Sequence, residues 1–323
     1  MLMDQEHTPA GQFAAIPWFN QYNCHDYLFS NPPAEDIYQE ISDFLIDGFV
    51  VVKNAAPKER VQAARNAFYN FRHQNADIFA RHENENKVVE RIVNLHMHLQ
   101  EIRDLFVSCD RALRIQDYLF GSETVLYTSL FFEKGSQQPI HRDSPAFSTI
   151  PEYNYFGMWI PLDDVDADNG PLVAIRGGHL IRESNRRAMA QRHFPDVSTV
   201  PDSHLELWMD YQADVVRQAE LYGMSVVELH VNAGDVIIWH PQLPHGGAKH
   251  LDMERTRCTV VAHTTPIGTP VYHMTKFFNP DKEFSPTPRW DYLPINNERR
   301  LANQGAIVDF NHKEVVQCSD LKR

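Results

Sequence analysis

No apolar run in this chain approaches the roughly 20 residues that a membrane-spanning helix needs. Its first residues, Met1-Leu2-Met3-Asp4-Gln5-Glu6-His7, carry neither the basic patch nor the apolar stretch of a secretory signal. Cysteine is scarce: the four, at positions 24, 109, 258 and 318, are dispersed and form no Cys-x-x-Cys pair. That spacing argues against a disulfide framework and a cysteine zinc site, and fits reduced thiols in a cytoplasmic protein. Positive charge is also in deficit, with 30 Lys and Arg against 43 Asp and Glu for a net charge of −13. Nucleic acid and anionic membrane both require a basic footprint, so neither is expected as the main partner. No internal repeat or low-complexity segment is present. A small-molecule substrate is the expected partner, for a monomer or a homodimer.

With 43% hydrophobic and 23% charged residues over 323 positions, the chain can bury a substantial core. Residues 1–34 are polar and read as an N-terminal arm. Glu35 to Asp47 carries Ile37, Ile41, Phe44 and Leu45 at helical spacing and stops at Gly48. Phe49 to Lys53 reads as a strand, Pro57 opens a second helix to about Gln74, and 99–120 reads as mostly helical. From Glu123 the pattern changes to short strands between turns: Val125–Glu133, Tyr155–Leu162, Leu172–Ile175, Val226–Val231, Val236–Trp239 and Arg257–Thr264. Several short strands with turn signals predict a barrel or sandwich. The expected organisation is one domain over 35–274, with helices flanking a mainly β core. A lid-like helical insertion spans 181–224, and an extension over 275–323 packs on the same domain.

His141-Arg142-Asp143 is the most informative triplet. Residues i and i+2 of a strand point to the same face, so His141 and Asp143 can reach one metal ion. A third ligand must come from elsewhere, and His245 in Leu243-Pro244-His245-Gly246-Gly247 is the candidate. Its rival is His240, at a strand end in Trp239-His240-Pro241. The two glycines after His245 favour it, because they allow close backbone approach. His179, His230, His250 and His263 read as structural or surface histidines. Two imidazoles and one carboxylate on one face of an octahedron leave the other face open, which suits mononuclear iron and an oxidising enzyme. Arg257 offers a planar fork for a carboxylate, and Arg255 competes with it.

The chain resembles the Fe(II)/2-oxoglutarate-dependent oxygenases of the phytanoyl-CoA dioxygenase-like family over about residues 35–265. The resemblance is carried by Asp47-Gly48-Phe49-Val50-Val51-Val52, His141-Arg142-Asp143, Met158-Trp159-Ile160-Pro161-Leu162-Asp163-Asp164 and Asn169-Gly170-Pro171-Leu172. Arg176-Gly177-Gly178-His179, Gly234-Asp235-Val236, His245-Gly246-Gly247 and Arg257 complete it. It implies a cupin-like jelly-roll, the double-stranded β-helix, with helices buttressing one sheet. It also implies iron ligation by His141, Asp143 and His245. Arg257 would pair with the far carboxylate of 2-oxoglutarate, and Trp159 would line the cosubstrate pocket. Tyr127, Ser129 and Phe131 alternate on the strand before the triplet, and some of them are expected to face the cavity.

Two positions depart from the family pattern. Gly247 stands where a hydroxyl commonly helps hold 2-oxoglutarate, so Thr128 or Thr259 is the expected substitute. Arg142 stands where Gln is common; it either reshapes contacts beside the iron or points to solvent. Asp143 itself argues against halogenation, because its carboxylate fills the position that halogenases free for chloride. The implied reaction consumes 2-oxoglutarate and O2 and releases succinate and CO2. Hydroxylation of a C–H bond in an amino-acid-like or natural-product metabolite is the default. Desaturation and oxidative cyclisation use the same chemistry. Arg182, Arg186, Arg187 and Arg192 of the insertion are candidate anion contacts, and Trp208, Met209 and Tyr211 its apolar side. Two other classes stay open: a non-catalytic metal-binding jelly-roll, and a zinc hydrolase with the same three ligands.

Overall fold

The computed structural model describes residues 16–322, so the first part of the expected arm, residues 1–15, lies outside the described residues. The rest of the arm is packed. Trp18 donates its indole N–H to the Leu119 carbonyl at 2.9 Å, and Phe19 is buried ahead of helix α1 (Cys24–Ser30). Helix α2 (Glu35–Asp47) buries Ile37, Ile41, Phe44 and Leu45, the stripe read from the sequence. Gly48 ends it with φ 80°, a left-handed conformation that glycine adopts freely. Strand β1 (Phe49–Val52) follows at once. Helices α3 (Lys58–Gln74) and α4 (Ala76–His82), strand β2 (Ile92–Val93) and helices α5 (Gln100–Ser108) and α6 (Asp110–Phe120) complete the N-terminal part. The helical stretch expected over 99–120 is two helices, because Cys109 leaves helical geometry at ψ 49°.

The β region supplies β3 (Thr124–Phe132), β4 (Ser148–Thr149), β5 (Phe156–Pro161) and β6 (Leu172–Ile175). The insertion then contributes α7 (Arg186–Gln191) and α8 (Leu205–Leu221). Strands β7 (Val226–Leu229), β8 (Val236–Trp239), β9 (His245–Gly247), β10 (Thr259–Pro266) and β11 (Val271–Tyr272) follow, then helix α9 (Met274–Phe277). The C-terminal stretch, unplaced from sequence, forms β12 (Tyr292–Pro294), β13 (Arg300–Ala302), β14 (Ile307–Phe310) and β15 (Glu314–Gln317). It extends the main sheet, whose order is β1-β8-β5-β10-β3-β2-β14-β15, with β13 paired to β3 and β12 to β13. A smaller sheet, β7-β6-β9, completes the jelly-roll.

Period-two alternation gives the large sheet two different faces. Met158, Ile160, Val236, Ile238, Val260 and Ala262 pack against the helices in one large core. Trp159, Ile237, Trp239 and Val261 point the other way and meet Leu172, Ala174 and Leu229 of the small sheet. Phe131 stacks on Phe68 of α3 at 4.0 Å, on the helix side, while Leu130 and Phe132 point between the sheets. The β3–β10 register slips beside His263, leaving Tyr127 as the extra residue of a bulge. Tyr127, Ser129 and Phe131 therefore do not share one face. Among the described residues no helix is long and apolar enough to cross a membrane.

His96 lies fully buried under this sheet, with Nδ1 2.7 Å from the Ser129 hydroxyl. Burial, aided by the Arg103 charge, pushes its pKa from 6.5 to about 3. Between those values the unfolded chain binds a proton that the folded protein refuses, so stability rises with pH through this window and falls on acidification. The slope of unfolding free energy against pH should be shallower in His96→Gln than in the parent, by at most about 1.4 kcal/mol per pH unit. Chemical denaturation at a series of pH values measures it.

Candidate metal centre

His141 and His245 meet through their backbones. The His141 N–H donates to the His245 carbonyl at 2.8 Å, and the His245 N–H returns a bond to the His141 carbonyl at 2.9 Å. Each imidazole is then fixed by the carbonyl two residues before it. Nδ1–H of His141 donates to Pro139 at 2.8 Å, and that of His245 to Leu243 at 3.0 Å. This sets the tautomer and leaves both Nε2 lone pairs aimed at a common point. Asp143 completes the group, with Oδ1 3.5 Å from His141 Nε2 and Oδ2 3.6 Å from His245 Nε2. One ligand atom from each residue falls within 4.8 Å of the others.

The structure explains the two glycines differently from the sequence reading. A Cβ at Gly246 would stand 2.6 Å from the Gln138 carbonyl, and one at Gly247 would stand 2.9 Å from the Ser136 hydroxyl. The close approach is to residues 136–139 of the same chain. His240, the rival ligand, is fully buried among Phe19, Phe44 and His179 on the helix side.

Two residues outside the expected ligand set brace Asp143. Trp239 donates its indole N–H to Oδ2 at 3.2 Å, and His263 Nε2 lies 3.5 Å from the same oxygen. Trp239 fits because its cross-strand partner is Gly157, where a Cβ would stand 1.9 Å from the indole. His263 is buried and stacks on Phe147 at 4.0 Å, a structural histidine placed against the metal-binding candidates. The alternation of the strand puts Arg257, Val261 and His263 on one face, and all three line the cavity.

Burial alone would raise the Asp143 carboxyl, but the imidazoles of His245, His141 and His263 outweigh it and hold the group well below the usual range. Burial pushes His245 down to about 4, so its Nε2 is an unprotonated donor at neutral pH. A buried carboxylate facing imidazole lone pairs fits a divalent transition metal.

The cavity over these ligands spans about 480 Å³, part of it open to solvent. Arg257 and Trp159 line it, the guanidinium lying 5.2 Å from the centre of the indole. Arg257 is 3% exposed, and burial lowers its pKa to about 10. Among the described residues its guanidinium makes one hydrogen bond, a long one of 3.4 Å to the Lys134 carbonyl, and Nε has no partner. Arg255, the competitor, is committed to Asp166 by two bonds of 2.9 Å.

The remaining expected cosubstrate residues separate. Thr259 is fully buried between Arg257 and Val261 on the same strand face, with its hydroxyl unpartnered. Thr128 donates to Asn94 Oδ1 at 2.7 Å and does not line the cavity. Ser129 is engaged with His96 and Phe131 with Phe68, so both are corrected to the helix side of the sheet. The space beside Gly247 is taken by Ser136, which lines the cavity together with Gln138.

Arg142 neither touches the cavity nor reaches solvent. It is fully buried and donates to the Gly178 and Ile181 carbonyls at 2.9 and 3.2 Å. Gln212 of α8 clasps its backbone, accepting from the N–H at 2.8 Å and donating to the carbonyl at 2.9 Å. Trp208 of α8 comes within 5.9 Å of the His141 ring, while Met209 is exposed and Tyr211 is buried against Phe277.

The sequence model of the phytanoyl-CoA dioxygenase family matches residues 44–252. The chain belongs to the phytanoyl-CoA dioxygenase family. Peroxisomal phytanoyl-CoA dioxygenase from Homo sapiens is 21% identical over 222 residues, 63% of this chain, and that from Bos taurus is 22% identical over the same length. The chain spans 61% of the length of these curated relatives. The jelly-roll is shared with the epimerase SnoN in complex with Fe3+, alpha ketoglutarate and nogalamycin RO, at 18% identity and TM-score 0.55. That match covers 84% of this chain and 99% of the epimerase. It is shared too with iron-bound EctD from S. alaskensis, at 16% identity and TM-score 0.51, covering 71% and 76%. In this phytanoyl-CoA dioxygenase family member, His141, Asp143 and His245 lie between the two sheets that the shared fold brings together.

Removing the indole donor tests the bracing of Asp143. Trp239→Phe should keep the fold and weaken Fe(II) binding about 10- to 100-fold, measured by competition with a coloured chelator.

Proposed function

We propose that this protein is an Fe(II)/2-oxoglutarate-dependent dioxygenase that hydroxylates a C–H bond of a small metabolite, amino-acid-like or a natural product. The observation that carries the reading is Arg257. A guanidinium this deeply buried, with no carboxylate partner among the described residues, is costly unless an anionic ligand completes it. It lines the same cavity as the three metal-binding candidates, as a two-headed cosubstrate requires.

The residues divide the work. His141, Asp143 and His245 hold the metal on one side and leave the cavity side for ligands. Arg257 takes the far carboxylate of 2-oxoglutarate, with Trp159 against its guanidinium limiting where it can point. Ser136 and Gln138, which line the cavity, supply further polar contacts, whereas the buried Thr259 hydroxyl does not line it. Leu130, Phe132, Leu172 and Val261 make the wall apolar and keep bulk water from the reacting centre. Bound iron supplies the oxidising chemistry, using O2 while 2-oxoglutarate is converted to succinate and CO2.

Anaerobic titration with Fe(II) and then 2-oxoglutarate should produce the visible metal-to-ligand charge-transfer band. Asp143→Ala should abolish or strongly weaken it. Arg257→Ala should keep iron and lose affinity for 2-oxoglutarate by about 10- to 100-fold, the value of a charged hydrogen bond. Iron bound without any band in the parent protein would overturn the reading.

A further inference from the structure

A second cavity of about 710 Å³ adjoins the metal cavity, and Phe132, Ser136 and Gln138 line both. Its floor is apolar, with Val88, Val89 and Phe132 buried. Its polar wall carries Arg91, Lys134 and Glu90.

Arg91 is held in place by the C-terminal extension. Its N–H donates to Asn311 Oδ1 at 3.0 Å, and its carbonyl accepts from the Asn311 N–H at 3.1 Å. Asn311 and His312 form the turn between β14 and β15, with φ values of 60° and 56°. The guanidinium itself has one side-chain hydrogen-bond partner among the described residues, His312 Nε2 at 3.4 Å. Lys134 donates to the Met253 carbonyl. Neither cation has a carboxylate within ion-pair distance among the described residues. The insertion arginines differ: Arg186 pairs with Glu152, Arg187 with Asp281 and Arg192 with Asp210.

We propose that this second cavity binds the primary substrate, that Arg91 and Lys134 receive its carboxylate, and that the substrate is therefore a small monocarboxylate whose apolar part extends along Phe132 toward the metal cavity. The proposal rests on the oxygenase reading. Two cations opposed by Glu90 leave one net positive charge on the wall, which suits a monoanion and not a polyanionic thioester such as acyl-CoA. The C-terminal hairpin acquires a role: it fixes the backbone that carries Arg91.

The test is anaerobic calorimetric titration of protein loaded with Fe(II) and 2-oxoglutarate, its charge-transfer band recorded first. The probes are hexanoate, L-leucine and N-acetyl-L-leucine, each beside its carboxamide, together with hexyl phosphate. At least one carboxylate should bind at least tenfold tighter than its amide, and Arg91→Ala and Lys134→Ala should each weaken it at least tenfold while the band persists. A normal band with no carboxylate binding, with equal binding of the amides, with variants that bind as the parent does, or with hexyl phosphate as the sole ligand would overturn the proposal alone. No band in the parent protein would remove the oxygenase reading and this proposal with it.

Discussion

Two backbone hydrogen bonds between His141 and His245 fix the geometry from which the rest of the site follows. They join residues about a hundred positions apart and set the imidazoles 4.7 Å from each other before any metal is considered. The pairing is local, with His141 making an isolated bridge to β9, so it tolerates no side chain in the way. Gly246 and Gly247 meet that demand, because residues 136–139 run against them too closely for a Cβ. Asp143 stands two residues beyond this bridge, within reach of both rings.

Around that bridge the molecule concentrates groups that are expensive to bury. A carboxylate, three imidazoles and a guanidinium line one small cavity. Their desolvation is carried by the opposite face of the same sheet, where an aromatic and aliphatic core seals the helices to β3, β5, β8 and β10. The arrangement separates stability from chemistry by strand parity: one set of residues holds the sheet, and the alternate set is free to be polar.

Much of this was legible in the sequence because it follows short-range rules. Helix α2 ends at Gly48 as its pattern and a left-handed cap require, and β6 and β8 have the boundaries that their apolar runs indicate. The His141, Asp143 and His245 grouping could be read from residue type and spacing. Other features depended on information that period and composition do not carry. A bulge at Tyr127 reverses the parity of β3, so the face assigned to Ser129 and Phe131 was wrong. The C-terminal strands are short, exposed in part and stabilised by pairing to a distant sheet edge. Ser136 sets its hydroxyl against Gly247 through a contact between segments more than a hundred residues apart, visible only after folding.

Arg142 gives the insertion a thermodynamic tie to the metal. Its backbone is clasped by Gln212 of α8, its guanidinium holds the carbonyls at the insertion's root, and its two chain neighbours are His141 and Asp143. A shift of α8 would have to break these two hydrogen bonds or carry with it the peptide units that present both ligands. Linkage makes such a tie reciprocal. A molecule that displaced α8 together with these ligands would alter the affinity for a bound metal, and the metal would alter the affinity for that molecule by the same factor.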